Sequence, residues 1–266
     1  MNQKIRIAIS GAYGRMGKSI ISIIDKIKIL QLTVLLINEN KTLFNIINKN
    51  KLNNIKISKN FENIHDLFDI LIDFTCPKST MKYLSLCYKY KKKIIIGTTG
   101  FNEIEKEKIK KYSKKIAILL SSNFSIGINL ILNILEKITK IIGNESDIEI
   151  IEFHHKNKKD SPSGTALTIG ETIAKSMNLS LNKIAIYNRN KFNEKRKKNS
   201  IGFSTIRAGD TIGEHTVIFA NKGERIEITH KASSRITFAK GALKASIWLN
   251  KKKNGLFSMK NVLKKI

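Results

Sequence analysis

Cysteine is nearly absent from this chain of 266 residues, which has only Cys76 and Cys87. The two are not in a CxxC spacing, so the sequence predicts neither a zinc cluster nor a disulfide framework. No apolar segment reaches the roughly 20 residues that span a bilayer. The first residues, "MNQKIRIAIS", lack the longer apolar stretch and the cleavage site of a signal peptide. We therefore expect a cytoplasmic protein with reduced thiols and no membrane partner.

Acidic residues are also scarce, since 21 Asp and Glu stand against 49 Lys and Arg, for a net charge of +28. Such a charge favours nucleic acid as a partner. However, the basic residues are spread along the whole chain, are mostly lysine rather than arginine, and are not interleaved with aromatic residues. Lys, Asn and Ile are enriched together, as adenine- and thymine-rich codons would produce. We interpret the charge as that of solvated surfaces and predict no nucleic-acid partner.

The first 125 residues alternate between strand-like and helix-like patterns. Ile5–Ser10 is a short apolar run typical of a buried strand, a helical pattern follows from Lys18, and residues 31–37 are again strand-like. This βαβ unit requires a parallel sheet with a right-handed crossover. Further strands are predicted at 70–74, Lys93–Ile96 and 116–120. The pattern predicts an α/β fold with a Rossmann-type, doubly wound parallel sheet.

Residues 126–234 have a different character. A long amphipathic helix is predicted at Ile126–Ile142, a second helix at 166–177, and strands at 147–153, 202–207, 214–220 and 225–230. The segment from residue 234 onward is helical again. We expect two domains: a dinucleotide-binding domain of residues 1–125 and 235–266, and a central α+β domain of residues 126–234. The exposed sheet of such an α+β domain is typical of packing against a partner subunit.

A glycine-rich motif, "GAYGRMG", lies between the first predicted strand and helix. Glycines permit a tight turn and a close approach of the backbone to a pyrophosphate, which the helix N-terminus then binds. The alternative is an ordinary glycine-rich turn, but the position at the start of a βαβ unit favours dinucleotide binding. The second strand ends near Ile37 and Asn38, with neither the acid typical of NAD nor the arginine typical of NADP, so both coenzymes stay open. The residues expected to bind the coenzyme here are Gly11, Ala12, Tyr13, Gly14, Arg15 and Met16.

Two further polar loops follow predicted strands, "IGTTG" and "SSNFSIG". Each alone is equally compatible with a simple polar turn. Both would nevertheless lie at the carboxyl ends of parallel strands, where open α/β sheets bind their ligands. We therefore add to the expected coenzyme site Gly97, Thr98, Thr99, Ser121, Ser122, Asn123 and Phe124.

The most reactive stretch is "HHKNKKDSPSGTA", residues 154–166. Adjacent strand residues point to opposite faces, so His154 and His155 are not expected to share a metal ion, and no metal site is predicted. Backbone N–H groups of Ser163, Gly164 and Thr165 would begin a helix and form a cradle for a carboxylate, and a nearby lysine and the two histidines would add charge and protons. The alternatives are structural histidines within a solvated lysine patch, or a Ser-His-Asp hydrolase, although no GxSxG motif is present.

These motifs together resemble the dihydrodipicolinate reductase family. The resemblance rests on "GAYGRMG", "IDFT", "IGTTGF", "NFSIGIN", "IEIIEFHHKNKKDSPSGTAL" and "RAGDTIGEHTVIFANKGERIEITHKASSR", and it covers nearly the whole chain. It implies a homotetramer that reduces a cyclic dicarboxylate of lysine and diaminopimelate biosynthesis with NADH or NADPH. It also implies that His154 and Lys158 are the catalytic pair, with Lys158 as the proton donor. His155, Gly164 and Thr165 would bind the substrate.

The sequence departs from the family pattern at two places. Ile37 and Asn38 replace a frequent Glu-Arg pair, and Cys76 stands where an arginine is common. Both changes remove groups that would contact the coenzyme. Two alternatives of other kinds are a nucleotide-binding protein that has lost catalysis and acts as a basic interaction module, and a Rossmann reductase for another carboxylic substrate.

Overall fold

The computed structural model describes residues 3–37, 55–189 and 195–264. The chain divides into two compact units. The first consists of Met1–Ile126 with Arg235–Ile266, and the second of Gly127–Ser234. Among the described residues, no helix combines the length and hydropathy needed to cross a bilayer.

A parallel sheet of seven strands forms the centre of the first unit. Its strands are β1 (Ile5–Ser10), β2 (Leu30–Leu36), β3 (Lys56–Ser58), β4 (Ile70–Asp73), β5 (Lys93–Ile96), β6 (Ala117–Leu120) and, far along the chain, β12 (Gly255–Phe257). Their order is β12-β6-β5-β4-β1-β2-β3, so the connections reverse direction between β1 and β4. That reversal is where doubly wound sheets open a crevice for ligands.

Helices cover both faces of this sheet. They are α1 (Arg15–Ile24), α2 (Pro77–Lys89), α3 (Glu103–Ser113), α7 (Ile236–Asn250) and α8 (Met259–Leu263). One buried cluster joins α1 and α7 to the sheet, and a second joins α2 and α3 to it. Small residues let α7 approach closely, because a Cβ on Gly241 would lie 1.8 Å from the carbonyl oxygen of Phe124.

The second unit is built on a mixed sheet of five strands. The strands are β7 (Asp147–His154), β8 (Ala185–Ile186), β9 (Ile201–Arg207), β10 (Gly213–Asn221) and β11 (Glu224–Ala232), and the helices are α4 (Ile126–Ile142), α5 (Gly164–Ser176) and α6 (Leu181–Ile184). The order is β11-β10-β7-β9-β8, with β7 and β9 parallel and β7 and β10 antiparallel.

Strict alternation along β7 gives this second sheet two different faces. Ile148, Ile150, Glu152 and His154 are buried on one face, where α4, α5 and α6 cover the sheet. The alternate residues are only partly buried, and Ile206 on neighbouring β9 is 44% exposed. No helix among the described residues of this unit covers the second face, so partly exposed apolar side chains remain on it.

The predicted fold class is confirmed, since a Rossmann-type parallel sheet and a mixed α+β unit are both present. The long helix occupies the predicted residues, Ile126–Ile142. Helix α5 begins at Gly164 rather than at residue 166, because Ser163 caps it. The strands β3, β8 and β12 were not predicted, because two or three residues are too short to show a period.

One buried carboxylate ties the carboxyl ends of the first sheet together. Asp73 is fully buried at the end of β4. It accepts hydrogen bonds from Ser10 Oγ at 2.5 Å, from Thr75 Oγ1 at 2.7 Å and from Thr80 Oγ1. Thr80 Oγ1 in turn lies 2.8 Å from Thr98 Oγ1, in the loop after β5. The ends of β1, β4 and β5 therefore share one polar network.

Asp73 makes the stability of the first unit depend on pH in a defined direction. Burial raises its pKa, although the hydroxyl groups of Ser10, Thr80, Thr75 and Thr98 act in the opposite direction. The folded pKa then lies above the unfolded value of about 3.9. Stability from this group is fully present below about pH 4 and is lost as the pH rises through the raised pKa.

We predict that Asp73→Asn removes this dependence. As the pH rises from about 4 to 7, the free energy of unfolding of the variant should increase relative to that of the parent chain. Urea unfolding followed by the fluorescence of Trp248, the single tryptophan and part of α7, reports on this unit. Asp25→Asn, the same change at an exposed position of the unit, is the control. Parallel pH profiles for parent and Asp73→Asn would contradict the prediction.

Candidate active site

The turn between β1 and α1 has the geometry that a bound pyrophosphate requires. Gly11 has φ +70°, a conformation that other residues rarely adopt. Gly14 is the N-cap of α1 and offers no side chain to its free N–H groups. A Cβ on Gly17 would lie 2.4 Å from the carbonyl oxygen of Gly11, so only glycine lets the helix sit this close to the turn. These are the roles of the three glycines in a dinucleotide-binding turn.

Charge around this turn also fits an anion. The first turn of α1, which is entirely described, has no acidic residue, and Arg15 is its exposed first residue. The pKa of Arg235 is lowered, first by burial and then by the charge of Arg15. Two neighbouring cations repel each other, and an anionic ligand between them relieves this repulsion. Arg235 was not predicted as a site residue, because it is more than 200 positions away in sequence.

The remaining residues of the turn are mostly structural. Ala12 is fully buried, and Met16 packs against the core. Tyr13 is half-buried. Of the six predicted coenzyme residues, the glycines and Arg15 therefore offer the most accessible groups. Together they fit the diphosphate of NADH or NADPH.

The loop after β5 is divided between the core and the surface. The N–H of Gly97 donates to the carbonyl of Asp73 at 2.8 Å, and a Cβ on Gly97 would lie 2.0 Å from the ring of Phe74. Thr98 is 5% exposed, and its hydroxyl accepts from the N–H of Thr75 at 3.2 Å. Thr99 is exposed. The hydroxyl of Thr98 thus belongs to the Asp73 network, whereas the side chain of Thr99 lies at the surface.

The loop after β6 is held by its own side chains. Ser121 Oγ donates to the carbonyl of Asn123 at 2.8 Å, and Asn123 Oδ1 accepts from the N–H of Ser125 at 2.8 Å. Ser122 is exposed. Phe124 is 2% exposed and meets Phe74 edge to face, with ring centroids 5.2 Å apart. Phe124 is therefore a core residue that anchors the loop, and its ring faces the core.

The two departures from the family pattern have different surroundings. Ile37 is buried just after β2, and its N–H donates to the carbonyl of Ser58 at 3.1 Å. Asn38 lies outside the described residues. Cys76 is exposed at the N-cap of α2, where a hydrogen bond with Ser79 lowers the pKa of its thiol. Neither Ile37 nor Cys76 offers the charge of the residue that it replaces.

In the second unit, a buried ion pair holds the end of β7. Glu152 is 1% exposed and accepts from both Nη atoms of Arg207, at 2.7 and 3.0 Å. The same carboxylate bonds His154 Nδ1 and accepts the N–H of Ser163 at 3.0 Å. Burial alone would raise the pKa of Glu152, but His154, Arg207 and the Ser163 N–H lower it to about 2. Because an ionised carboxylate only accepts, His154 donates from Nδ1 to Glu152, and its Nε2 lies beside Gly213, where a Cβ would be 2.9 Å away.

His215 packs beside this pair. Its ring centroid lies 5.1 Å from that of His154, and its Nε2 lies 3.1 Å from Ser163 Oγ. Burial, followed by the charge of His154, lowers the pKa of His215 to about 3. Within the described residues, Glu152, His154 and His215 are the one group with the geometry of a metal site. Since Arg207 already bonds both oxygens of Glu152, the group is better described as an ion pair of Glu152 with Arg207 and His154, against which His215 packs.

The loop after β7 brings the predicted basic residues to the surface. Lys158 Nζ donates to Asp160 Oδ1 at 2.7 Å, and the lysine side chain is 22% exposed. His155 is half-buried, and its N–H donates to the carbonyl of Thr211 at 2.8 Å. His154 is 7% exposed and His155 more open, in agreement with the opposite faces expected of strand neighbours.

Helix α5 begins beside this loop. Ser163 caps it, since Ser163 Oγ accepts from the N–H of Ala166 at 3.2 Å. Gly164 is exposed, and a Cβ on it would have no atom within 4 Å. Thr165 is half-buried in the same first turn. Open space therefore lies over the N-terminus of α5, next to Lys158 and Asp160.

The structure thus groups Lys158, Gly164 and Thr165 in one loop and helix turn, with His154 beneath them. Glu152 and Arg207, which hold His154 and the loop, were not predicted. They are 55 residues apart in sequence, and only the alternation of Glu152 with apolar residues of β7 indicates that it is buried.

Comparison with known proteins supports the same assignment for both units. Residues 5–124 match the family described as dihydrodipicolinate reductase, N-terminus, and residues 127–263 match dihydrodipicolinate reductase, C-terminus. The chain is 52% identical to the 4-hydroxy-tetrahydrodipicolinate reductase of Buchnera aphidicola subsp. Cinara cedri, over 100% of this chain and 99% of the relative. It is 53% identical to the enzyme of the same name from subsp. Baizongia pistaciae, over 97% of each chain.

A solved structure has the same fold. It is a dipicolinate-bound dihydrodipicolinate reductase from Paenisporosarcina sp. TG-14, with a TM-score of 0.76 and 22% identity over 98% of this chain and 100% of that one. The resemblance noted in the sequence is confirmed by the matches to both halves and to full-length relatives. The chain belongs to the dihydrodipicolinate reductase family.

Proposed function

We propose that this chain, a reductase of lysine and diaminopimelate biosynthesis, reduces 4-hydroxy-tetrahydrodipicolinate to tetrahydrodipicolinate. Its first unit binds NADH or NADPH, and its second unit binds the dicarboxylate substrate. The observation that carries the substrate assignment is the convergence of two groups on one carboxylate. Lys158 Nζ donates to the side chain of Asp160 at 2.7 Å, and the Gly164 backbone helps to lower the pKa of the same carboxyl group, so this loop and helix turn already stabilise an anion of the required type.

The first turn of α5 is the proposed cradle for one substrate carboxylate. The N–H groups at a helix N-terminus favour negative charge. Gly164 leaves the approach open, and Thr165 adds a hydroxyl within the same turn. His155, half-exposed at the end of β7, is the proposed polar contact for the rest of the substrate.

Lys158 is the proposed proton donor, and His154 is its catalytic partner. The bound coenzyme supplies the hydride to the substrate ring. The 4-hydroxyl group leaves the ring as water, and a proton must reach the carbanion or enamine that hydride addition would leave on that ring. The Lys158 ammonium carries protons in reach of the cradle. Because the Nδ1 proton of His154 is committed to Glu152, Nε2 is the atom of His154 that exchanges protons.

The coenzyme is held by three loops of the first unit in this proposal. Backbone groups of residues 11–16 bind the diphosphate, with Arg15 as an added cation. The loops at 97–99 and 121–124 contact the nicotinamide end of the coenzyme through the side chains of Thr99 and Ser122 and through backbone groups. Thr98 and Phe124 position these loops from within.

We propose a homotetramer assembled through the second sheet. Its uncovered face has partly exposed Ile151, Phe153 and Ile218, besides Ile206 at 44% exposure. Contiguous apolar residues on a sheet face are typical of protein–protein contacts.

The free thiols support a reducing compartment, the cytoplasm. Within the described residues, which include both cysteines, neither forms a disulfide. Cys76 is exposed and would be the more readily oxidised of the two.

The function is tested with purified protein and both coenzymes. We expect oxidation of NADH or NADPH, followed at 340 nm, only when the substrate is present, and competitive inhibition by dipicolinate against the substrate. Coenzyme binding without any turnover would favour the alternative of a chain that has lost catalysis. Turnover that dipicolinate leaves unaffected would favour another carboxylic substrate.

Lys158→Ala should lower kcat by about 10²–10⁴-fold, the usual scale of general acid catalysis, while the Kd of the coenzyme changes little. Lys159→Ala, the same change at the exposed neighbouring lysine, is the matched control and should retain activity. Steady-state kinetics and coenzyme titration of both variants provide the measurement. Near-normal turnover of Lys158→Ala would remove Lys158 from the mechanism.

Gly164→Ala should raise the KM of the substrate about tenfold or more while the melting temperature stays constant. The added methyl group meets no protein atom, and alanine is a good residue for a helix, but the methyl group enters the space of the proposed carboxylate. Thermal melting and substrate titration separate the two effects. An unchanged KM would place the substrate carboxylate elsewhere.

A further inference from the structure

The proposed substrate cradle contains a carboxylate of the chain itself. Asp160 lies two residues after Lys158 and accepts from its Nζ at 2.7 Å. The backbone of Gly164, at the start of α5, helps to lower the pKa of the same carboxyl group. The start of α5 is the proposed cradle for a substrate carboxylate, and Lys158 is the proposed proton donor beside it. Asp160 and the substrate would therefore compete for one position.

The main chain of Asp160 is fixed, whereas its side chain is not. Arg207 Nη2 donates to the carbonyl of Asp160 at 2.7 Å while it also binds the buried Glu152. The Asp160 side chain is 57% exposed, so it can rotate into solvent without a change in the backbone. Exposed ion pairs of this kind are weak, which makes the displacement inexpensive.

Asp160 is also anionic at neutral pH. Burial acts to raise its pKa, but the hydrogen bond and charge of Lys158 lower it below the usual value. Two carboxylates cannot share the cradle, because like charges at hydrogen-bonding distance repel strongly. When a dianionic substrate binds, the Asp160 carboxylate must leave.

We propose that Asp160 is an internal occupant of the substrate-carboxylate position, which holds Lys158 and the first turn of α5 in place until a substrate carboxylate displaces it. This inference rests on the proposed function. While Asp160 occupies the cradle, a carboxylate cannot bind there. The apparent affinity for any carboxylate therefore equals the affinity of the open cradle multiplied by the fraction of molecules in which the cradle is open. Asp160 also keeps weakly binding monoanions out of the cradle. A monoanion has no second carboxylate whose contacts with the protein could offset the cost of displacing Asp160.

The test is the Kd of dipicolinate, measured by calorimetry on the full chain with coenzyme present. Asp160→Asn should bind dipicolinate about three- to tenfold more tightly, because the internal competitor loses its charge. Asp160→Ala should bind it at least as tightly as Asp160→Asn. Glu171→Gln, which removes one exposed negative charge from α5, controls for the change in net charge and should leave the Kd unchanged.

The direction of the change distinguishes this role from a structural one. If Asp160 only anchors the loop, both variants bind dipicolinate more weakly, and that result, or an unchanged Kd, overturns the inference while the proposed function stands. An equal gain in Glu171→Gln also overturns it, because net charge would then explain the effect. If the unsubstituted chain does not bind dipicolinate, the proposed substrate site fails and this inference fails with it.

Discussion

The second unit depends on one buried carboxylate. Glu152 lies on the core face of β7 among isoleucines, where an ionised group without partners would cost several kcal/mol. Arg207 binds it with both Nη atoms from β9, and Ser163 binds it through the backbone from the loop before α5. Removal of one partner from such a buried pair typically costs about 3–5 kcal/mol. Glu152 therefore joins two strands and a loop at one point.

Glu152 and Arg207 also determine the position of the loop between β7 and α5. The same carboxylate orients His154, and the same arginine holds the carbonyl of Asp160. The backbone of the loop is also held by the N–H groups of His155 and Lys156, which donate to Thr211 and Gly209, and by that of Lys158, which donates to the carbonyl of His155. Lys158 and the start of α5 are thus placed by a charged core beneath them. This arrangement gives the proposed substrate site the support beneath its binding groups that precise placement requires.

Local patterns predicted much of the fold, whereas long-range pairing decided the rest. Period and turn chemistry were sufficient for Ile126–Ile142 and for the glycine turn after β1, since their signals lie within a few residues. Three-residue strands such as β3 and β12 exist because neighbouring strands bind them, and no local signal precedes that contact. Thr98 shows the same limit within the site. Its residue type suggested a ligand contact, but its hydroxyl belongs to a network centred on Asp73, which no spacing rule connects to it.

The two units stabilise a buried carboxylate in opposite ways, and the difference suits their proposed ligands. Glu152 is surrounded by charged partners, and its pKa falls to about 2. Asp73 is surrounded by hydroxyl groups alone, and burial keeps its pKa raised. Hydroxyl donors that point inward to Asp73 leave the backbone N–H groups of the neighbouring turns for a coenzyme diphosphate and place no fixed cation beneath it. At the substrate loop, by contrast, the Arg207 ion pair fixes the backbone, so that Lys158 stays at the surface as the group that an incoming carboxylate can take over from Asp160.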